Sequence, residues 1–353
     1  MRAALDAARR RRGAGRVGAG EGAALGTARG VEGSARHGVR GDAVTRLLAR
    51  ASVRAGGGRR RILAVTYATD ELVAHLPACS QLGIKTICVG AGSISGPAAA
   101  RFRRAGLELR RGVEGGRASE LHRDVHFAST RARPWVTLKA AVSLDGMMAC
   151  ANGQSRWITG SASRREGHRL RATHDAIAVG AGTVRSDDPH LTVRDVRGAD
   201  PRVVVFDSKL KLAGGKPKFH VFRSGTIVVH GERAPETARA RAAGAGLVPI
   251  RVRTARSGRL DVRDALRRLA RLQVRSLMVE GGGALTASFY AAGVWEEMHL
   301  FCAPKLLGGA SRPLLPGLSW ADVERAPAVR VVDRRSFGED TRTVLAPRKS
   351  EDR

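Results

Sequence analysis

Short apolar runs alternate along the chain with helix-like segments. Most of the runs are continuous rather than alternating, which is typical of strands covered on both faces of a sheet. The pattern predicts strands at 62–67, 86–90, 135–142, 176–180, 202–207, 226–230, 276–280 and 297–303. It predicts helices at 2–12, 43–51, 98–105, 161–173, 262–272 and 284–292. This succession of strands and helices indicates an α/β protein.

The chain of 353 residues is long enough for two ordinary domains, each with its own core. The segment 129–134 is polar and basic and ends in a proline just before a new strand, so it is the best candidate boundary. We therefore predict one domain at 1–130, a second at 131–347 and a frayed tail at 348–353.

A formal net charge of +30 raises the possibility of a nucleic-acid-binding protein. Only eight of the 62 basic residues are lysines, however, and an excess of Arg, Ala and Gly is what GC-rich codon usage produces. Aromatic residues, on which bases stack, make up only 4% of the chain. We therefore favour codon usage over a nucleic-acid-binding surface as the reason for the charge, and small anionic substrates would also suit such a field.

Cysteine use and hydropathy favour a cytoplasmic location. The four cysteines, Cys79, Cys88, Cys150 and Cys302, form no CxxC pair, which favours a reducing compartment. No apolar run reaches the roughly 18 residues needed to cross a membrane. The first residues are basic but lack the apolar stretch of a secretory signal, so we expect neither export nor membrane insertion.

Two glycine-rich turns follow apolar strands. The run Gly281-Gly282-Gly283 opens a predicted helix, so its backbone N–H groups can approach a phosphate. The run Gly180-Ala181-Gly182-Thr183 ends a second strand in a similar way. Two such turns suggest a dinucleotide across the strand ends, although the GxGxxG spacing is absent and tight turns also use glycine.

Four further side chains each have a functional and a structural interpretation. Arg171 and Arg194 suit a forked contact with a sugar phosphate, and solvated surface charge is the alternative. Glu280 ends an apolar strand, so it needs a partner, either a polar ligand group or a structural Arg or Lys. Trp157 would by default pack in the core.

The second half of the chain carries a series of blocks in a fixed order. They read Arg-Pro-Trp-Val-Thr-Leu-Lys at 133–139, Ser-Leu-Asp-Gly at 143–146, Ser-Arg-Trp-Ile-Thr-Gly at 155–160, Leu-Arg-Ala at 170–172, Asp-Ala-Ile at 175–177, Gly-Ala-Gly-Thr-Val at 180–184, Asp-Asp-Pro-His-Leu-Thr-Val-Arg at 187–194, Met-Val-Glu-Gly-Gly-Gly at 278–283 and Ala-Pro-Lys-Leu-Leu-Gly at 303–308. Over residues 131–345 the chain closely resembles the reductase half of the bifunctional riboflavin-biosynthesis deaminase/reductase family. The resemblance implies a dihydrofolate-reductase-like three-layer αβα domain with a mixed sheet, preceded by a degenerate cytidine-deaminase-like α/β domain.

The resemblance also implies ligands and roles. The cofactor would be NADPH, contacted by Ala141, Trp157, Thr183, Asp187 and Ser208, with its phosphates at Gly282, Gly283, Ala284, Leu285, Thr286, Ala287 and Ser288. The substrate, a pyrimidine carrying a ribosylamino 5-phosphate, would be bound by Ser155, Arg171, Leu191, Arg194 and Glu280. Hydride transfer to C1 of the opened ribose would give the ribitylamino product. Lys139, with Glu280, is the candidate catalytic pair, and an exposed lysine without a role is the alternative.

The first half resembles the deaminase domain of this family in the blocks Gly-Ile-Lys-Thr-Ile-Cys-Val at 83–89 and Arg-Ala-Gly-Leu-Glu-Leu at 104–109. That domain holds zinc with a His-x-Glu motif and two cysteines. Here the matching positions read Gly41-Asp42-Ala43 and Ala68-Thr69-Asp70, and only Cys79 fits a ligand position. One thiol cannot make a closed site, and a rescue by Asp70 and His75 is disfavoured. We expect no zinc and no deaminase activity, and a domain kept for packing or assembly.

Several functional readings stay open. The leading one is a reductase, expected to be a homo-oligomer, that works beside a separate deaminase. A second is a paralogue that reduces the same early pyrimidine in a specialised, toxoflavin-like pathway. A third is a non-catalytic scaffold, and a fourth is a nucleic-acid binder. The sequence leaves open whether the substrate is deaminated and whether NADPH is preferred over NADH.

Overall fold

The computed structural model describes residues 61–68, 73, 76, 79, 84–92, 94–111, 123–213, 219–255 and 258–348. The helices predicted at 2–12 and 43–51 lie outside these residues. The chain divides into two compact units between Arg123 and Asp124. The domain boundary between 130 and 131 stays a prediction.

The first unit contains a parallel sheet in the order β1-β2-β3. Its elements are β1 (Arg61–Ala68), β2 (Ile84–Gly92), α1 (Gly96–Arg104) and β3 (Glu108–Arg111). Helix α1 begins after Ser95, whose side chain accepts the Ala98 N–H and satisfies a donor of the first turn. Phe102 of α1 and Ile87 of β2 are fully buried and pack in the hydrophobic core of this unit.

The second unit is built on a nine-stranded mixed sheet in the order β13-β14-β11-β4-β10-β6-β7-β8-β9. Its strands are β4 (Trp135–Ser143), β6 (Ala176–Gly180), β7 (Arg202–Phe206), β8 (Ile227–His230), β9 (Val248–Arg251), β10 (Ser276–Val279), β11 (Glu297–Ala303), β13 (Val329–Phe337) and β14 (Asp340–Pro347). The strands from β11 to β9 run parallel, and β14 pairs antiparallel with both β11 and β13. The short strands β5 (Met147–Ala149) and β12 (Arg312–Pro313) form a separate pair.

Helices cover both faces of this sheet, so the α/β architecture with a mixed sheet is confirmed. They are α2 (Arg123–Arg131), α3 (Ser161–Ala172), α4 (Ala181–Asp187), α5 (Glu236–Gly244), α6 (Val262–Arg271) and α7 (Gly283–Ala291). On β6, Ala178 packs in one core cluster with Leu266 of α6, whereas Ile177 and Val179 pack on the opposite face with Val184 of α4. Successive residues of a strand face opposite sides, which explains the continuous apolar runs. Among the described helices, none is long and apolar enough to span a membrane.

Helices and strands that lack an apolar run were not predicted from the sequence. Helix α5 buries only Ala238 and Ala242, and β13 is an arginine-rich edge strand with mostly exposed side chains. Helix α2, which the sequence did not predict, continues to Arg131 and so enters the segment 129–134. The aromatic contact between Phe127 of α2 and Trp135 of β4 gives this helix a packing partner.

Helix α3, which carries several residues of the site described below, takes its N-terminal cap from a distant strand. Asp340 of β14 is buried, and its Oδ2 accepts the Gly160 N–H at 2.7 Å and the Ser163 hydroxyl at 2.6 Å. Gly160 has no side chain of its own to satisfy the first turn. The position of α3 therefore depends on the β13–β14 hairpin.

Replacement of Asp340 by Ala should destabilise the second unit. The Gly160 N–H and the Ser163 hydroxyl would lose their acceptor, which costs about 1–3 kcal/mol for buried polar groups. Urea unfolding measures the change, and Asp322→Ala is the matched control because Asp322 is exposed and its ion pair is with the exposed Arg325. Equal unfolding midpoints for the two variants would contradict this role of Asp340.

Candidate functional site

A cavity of about 1240 Å³ lies at the carboxyl ends of the central strands of the second unit. Its walls come from β4, α3, the starts of α4 and α7, and the loops 153–159, 187–195 and 312–316. Parallel strands bring their carboxyl ends to one edge of the sheet, where ligands of α/β proteins bind. This volume exceeds the ~300–1,000 Å³ of ordinary ligand pockets, so two ligands can lie side by side.

The two glycine turns lie next to each other in this cavity. The Gly282 N–H donates to Thr183 Oγ1 at 2.8 Å, which joins the start of α7 to α4. A Cβ on Gly281 would lie 3.5 Å from the Gly180 N, and one on Gly283 would lie 2.6 Å from Pro316 Cδ. Gly283 therefore has no room for a Cβ, whereas a Cβ on Gly281 would be in ordinary van der Waals contact. The Leu285 N–H donates to the Gly282 carbonyl at 3.1 Å, and the positive end of the α7 dipole at Gly283 and Ala284 suits an anion.

The floor of the cavity is an ion-pair network centred on Glu280. Its Oε1 pairs with Lys139 Nζ at 3.1 Å, and its Oε2 accepts a hydrogen bond from Arg171 Nε at 2.8 Å. The Glu280 side chain is only 19% exposed. Burial opposes its ionisation, but the charges of Lys139 and Arg171 outweigh burial and hold the pKa of Glu280 well below its usual value. Glu280 is therefore a carboxylate at neutral pH, and its partners are structural cations.

The orientation of Arg171 is fixed by two contacts. Besides the bond to Glu280, its Nη1 donates to the Thr192 carbonyl at 3.0 Å. Burial opposes the charged form, and the Glu280 carboxylate outweighs burial, so the pKa of Arg171 is raised above its usual value. A guanidinium has five N–H donors, and these two bonds leave donors for a ligand.

Arg194 lines the same cavity, and its side chain is exposed. Its backbone N–H donates to Nδ1 of His168 at 3.1 Å. His168 is buried on α3, three residues before Arg171. The two arginines and the two glycine turns therefore share one cleft.

Trp157 lies at the mouth of the cavity, so the default expectation of core packing was wrong for this residue. Its side chain is 62% exposed, and the Arg164 guanidinium lies 4.5 Å above its ring. Lys305 Nζ donates to the Trp157 carbonyl at 2.8 Å. An exposed indole fixed by two cations leaves a ring face available to a planar ligand.

Most of the predicted site residues line this cavity. They are Lys139, Ala141, Ser155, Trp157, Arg171, Thr183, Asp187, Leu191, Arg194, Glu280, Gly282, Gly283, Ala284 and Leu285. The others are not among its lining residues: Ser208 is an exposed residue after β7, Thr286 and Ala287 are fully buried in α7, and the Ser288 hydroxyl donates to the Ala284 carbonyl. The roles of all these residues stay predictions.

Sequence analysis missed several charged residues of the cavity. They are Arg156, Arg164, His168, Arg185, Asp188, His190, Asp195 and Arg312. In a chain with this much arginine, no single arginine stands out in the sequence. His168 was the one with a usable signal, because residues three apart lie on the same side of a helix and Arg171 was already a candidate.

Most of the positions on which the predicted loss of the zinc site rests lie outside the described residues. The positions 41–43, 69–70 and 75 are all outside them. Cys79 is buried, and burial raises the pKa of its thiol, which opposes the thiolate that zinc requires. Among the described residues there is no group of three His, Cys, Asp or Glu side chains arranged to hold a metal. The absence of zinc stays a prediction.

Comparisons with known proteins agree with this geometry. A family model for the RibD C-terminal domain matches residues 134–342. Riboflavin biosynthesis protein RibD of Bacillus amyloliquefaciens is 30% identical over 307 residues, which cover 81% of this chain and 80% of that protein.

Two solved structures are similar across both halves of the chain. Acinetobacter baumannii RibD, form 2, has a TM-score of 0.64 at 25% identity, covering 77% of this chain and 75% of that chain. A diaminohydroxyphosphoribosylaminopyrimidine deaminase/5-amino-6-(5-phosphoribosylamino)uracil reductase from Thermotoga maritima has a TM-score of 0.60 at 28% identity, covering 77% and 74%. The fold of the second unit is thus the dihydrofolate-reductase-like fold that the sequence indicated. With the match to the family model and the extended similarity to RibD, the chain belongs to the RibD family of riboflavin biosynthesis proteins.

Proposed function

We propose that this oxidoreductase uses NADPH to reduce the ribosyl group of 5-amino-6-(5-phosphoribosylamino)uracil to the ribitylamino product. The observation that carries the proposal is one cavity in which glycine turns, two arginines and the Lys139–Glu280 pair meet. Relatives that include a Thermotoga maritima uracil reductase support the same reaction.

The glycine turns fit a dinucleotide. The bare backbone at Gly281–Gly283 and the start of α7 suit its phosphates, because the positive end of the helix dipole attracts negative charge. Thr183 and Asp187 of α4 lie beside these turns, and the exposed ring of Trp157 lies at the mouth. Bound NADPH would supply the hydride, so the protein has to hold the donor and acceptor carbons close together.

The two arginines fit the substrate phosphate. Arg194 presents an exposed guanidinium to the cavity, and Arg171 is held in a fixed orientation by Glu280 and Thr192. A guanidinium matches two oxygens of a phosphate, which gives both charge and orientation. We assign the ribose 5-phosphate to these side chains, with Ser155 and Leu191 as further substrate contacts.

Lys139 is the candidate proton donor. Its Nζ is held at the cavity floor by the ionised Glu280. Helix α3 lies close to the same side chain: a Cβ added to Gly167 would be only 3.7 Å from Lys139 Cε. Reduction of the imine-like C1 adds a hydride to carbon and a proton to nitrogen. An ammonium group fixed in a partly buried site can deliver that proton or stabilise the charge as it forms.

We also propose that the first unit has lost deaminase activity and that a separate protein supplies the deaminated pyrimidine. This proposal rests on the sequence, where one cysteine remains of the ligands that a zinc deaminase needs. A paralogue acting in a specialised pathway would share the fold and differ in the pyrimidine it accepts.

The purified full-length protein should oxidise NADPH with 5-amino-6-(5-phosphoribosylamino)uracil, and the product should gain two hydrogens by mass spectrometry. The undeaminated pyrimidine should release no ammonia, even with added zinc. NADPH binding without reduction of either pyrimidine would overturn the proposed reaction and favour a scaffold. Ammonia release would overturn the loss of the deaminase.

Lys139→Met should lower kcat by about 100-fold or more with a smaller effect on KM, which is the range for loss of a general acid. Methionine keeps the apolar stem and removes the ammonium group. Lys211→Met is the control, since Lys211 is exposed and is not a lining residue of the cavity. An unchanged kcat for Lys139→Met would exclude the role in proton transfer.

Gly283→Ala should weaken NADPH binding. The new Cβ would lie 2.6 Å from Pro316 Cδ and 2.8 Å from the Pro313 carbonyl oxygen, so the covering loop or the turn must shift. Such overpacking typically costs about 1–3 kcal/mol, or roughly tenfold or more in the Kd measured by NADPH fluorescence. Gly309→Ala is the control because a Cβ there has no atom within 4 Å. Equal Kd values for both variants would count against cofactor phosphates at this turn.

A further inference from the structure

The loop that carries Arg194 has a strained backbone. We call residues 187–195 the Arg194 loop. Three of its non-glycine residues have left-handed backbone angles, with φ of 40° at Asp188, 54° at Leu191 and 62° at Asp195. Such angles are unfavourable for residues with a Cβ and persist only where surrounding contacts enforce them. The position of Arg194 therefore depends on what holds this loop.

Helix α3 provides two of the contacts that hold the Arg194 loop. Nδ1 of His168 accepts the Arg194 N–H at 3.1 Å, and Arg171 Nη1 donates to the Thr192 carbonyl at 3.0 Å. A third contact comes from Asp200, whose Oδ1 accepts the Val193 N–H at 2.7 Å. Of the three, the His168 contact is at the residue whose side chain enters the cavity.

The His168 bond requires a neutral imidazole. Because Nδ1 accepts a hydrogen bond, the proton of the neutral ring is on Nε2, which lies 3.9 Å from Asp195 Oδ2. His168 is 7% exposed and lines the cavity. Burial and the charges of Arg171 and Arg194 lower the pKa of His168, against the opposing charges of Asp195 and Glu280. Lys139, whose Cε lies near Gly167, and Arg164, one turn before His168 on α3, add further positive charge on this side of the helix.

We propose that His168 is the positioning residue of the substrate phosphate site: its neutral imidazole holds the Arg194 loop so that the Arg194 guanidinium faces the phosphate. This inference rests on the proposed function, because it takes the phosphate of the substrate as the ligand of Arg194. His168 acts through the backbone of Arg194 and does not itself donate to the phosphate.

The inference has a consequence for pH. When the pH falls through the lowered pKa of His168, a proton occupies Nδ1, and the Arg194 N–H then faces another N–H. Phosphate affinity should therefore fall as the pH drops through this lowered pKa, which lies below that of an ordinary histidine. A phosphate monoester also loses its second charge near about pH 6, so the informative quantity is the difference between the wild type and a non-titrating variant.

The test is calorimetric titration of the full-length protein with ribose 5-phosphate at pH 7.5 and 5.5. At pH 7.5, His168→Leu should raise the Kd about tenfold, since a buried N–H loses its acceptor and the strained loop is released. His168→Asn, whose Oδ1 can accept the same N–H, should stay within about twofold of the wild type. On acidification the wild type should lose more affinity than His168→Asn. In the reductase assay, His168→Leu should raise KM for the pyrimidine more than it lowers kcat.

Arg169→Gln is the matched control, because Arg169 is on the same helix, is mostly exposed and pairs with Glu166 away from the cavity. Equal ribose 5-phosphate affinities of the wild type and His168→Leu would overturn the proposal. Equal weakening of ribose 5-phosphate binding by His168→Leu and His168→Asn would also overturn it, because it would indicate a packing role. A wild type that fails to bind ribose 5-phosphate would overturn it too. A wild type that binds ribose 5-phosphate but reduces no pyrimidine would instead overturn the proposed function and leave the role of His168 in place.

Discussion

The ion-pair network around Glu280 is the interaction on which the rest of the site depends. A partly buried carboxylate is unfavourable by itself, and the attraction of two cations is needed to offset its loss of hydration. Lys139 comes from β4 and Arg171 from α3, while Glu280 follows β10. One carboxylate therefore joins two adjacent strands to the helix that covers them. The same contacts fix the proposed proton donor and one proposed phosphate ligand relative to each other.

The cavity concentrates positive charge where the proposed ligands carry phosphates. Its lining includes one lysine and six arginines against one glutamate and three aspartates. The excess of cations raises the local concentration of anionic ligands and lowers the energy of bound phosphates. The start of α7 adds the partial positive charge of its helix dipole. The high net charge of the chain is thus consistent with small phosphorylated ligands, without any need for nucleic acid.

The site also depends on structure far from the chemistry. Asp340 on the β13–β14 hairpin caps α3, and α3 in turn supports the Arg194 loop through His168 and Arg171. A loop with three left-handed non-glycine residues is held in place by side chains of α3 and by Asp200. The hairpin at the edge of the sheet is therefore part of what positions the proposed phosphate ligands.

The sequence by itself determined the α/β class, the buried central strands and the two glycine turns, because continuous apolar runs and bare glycine turns are local signals. Most of the side chains that it named for the site line the cavity. Only the tertiary structure decided which partners they have: whether Glu280 meets a ligand or a structural cation, whether Trp157 is buried, and which of many arginines face the cleft. The hairpin β13–β14 was missed because β13 has no apolar run, and the contact of His168 with the Arg194 loop was missed because it joins a helix to a separate loop 26 residues further along the chain. The pattern of burial can be predicted from local hydrophobic periodicity, whereas the pairing of charged side chains depends on long-range packing.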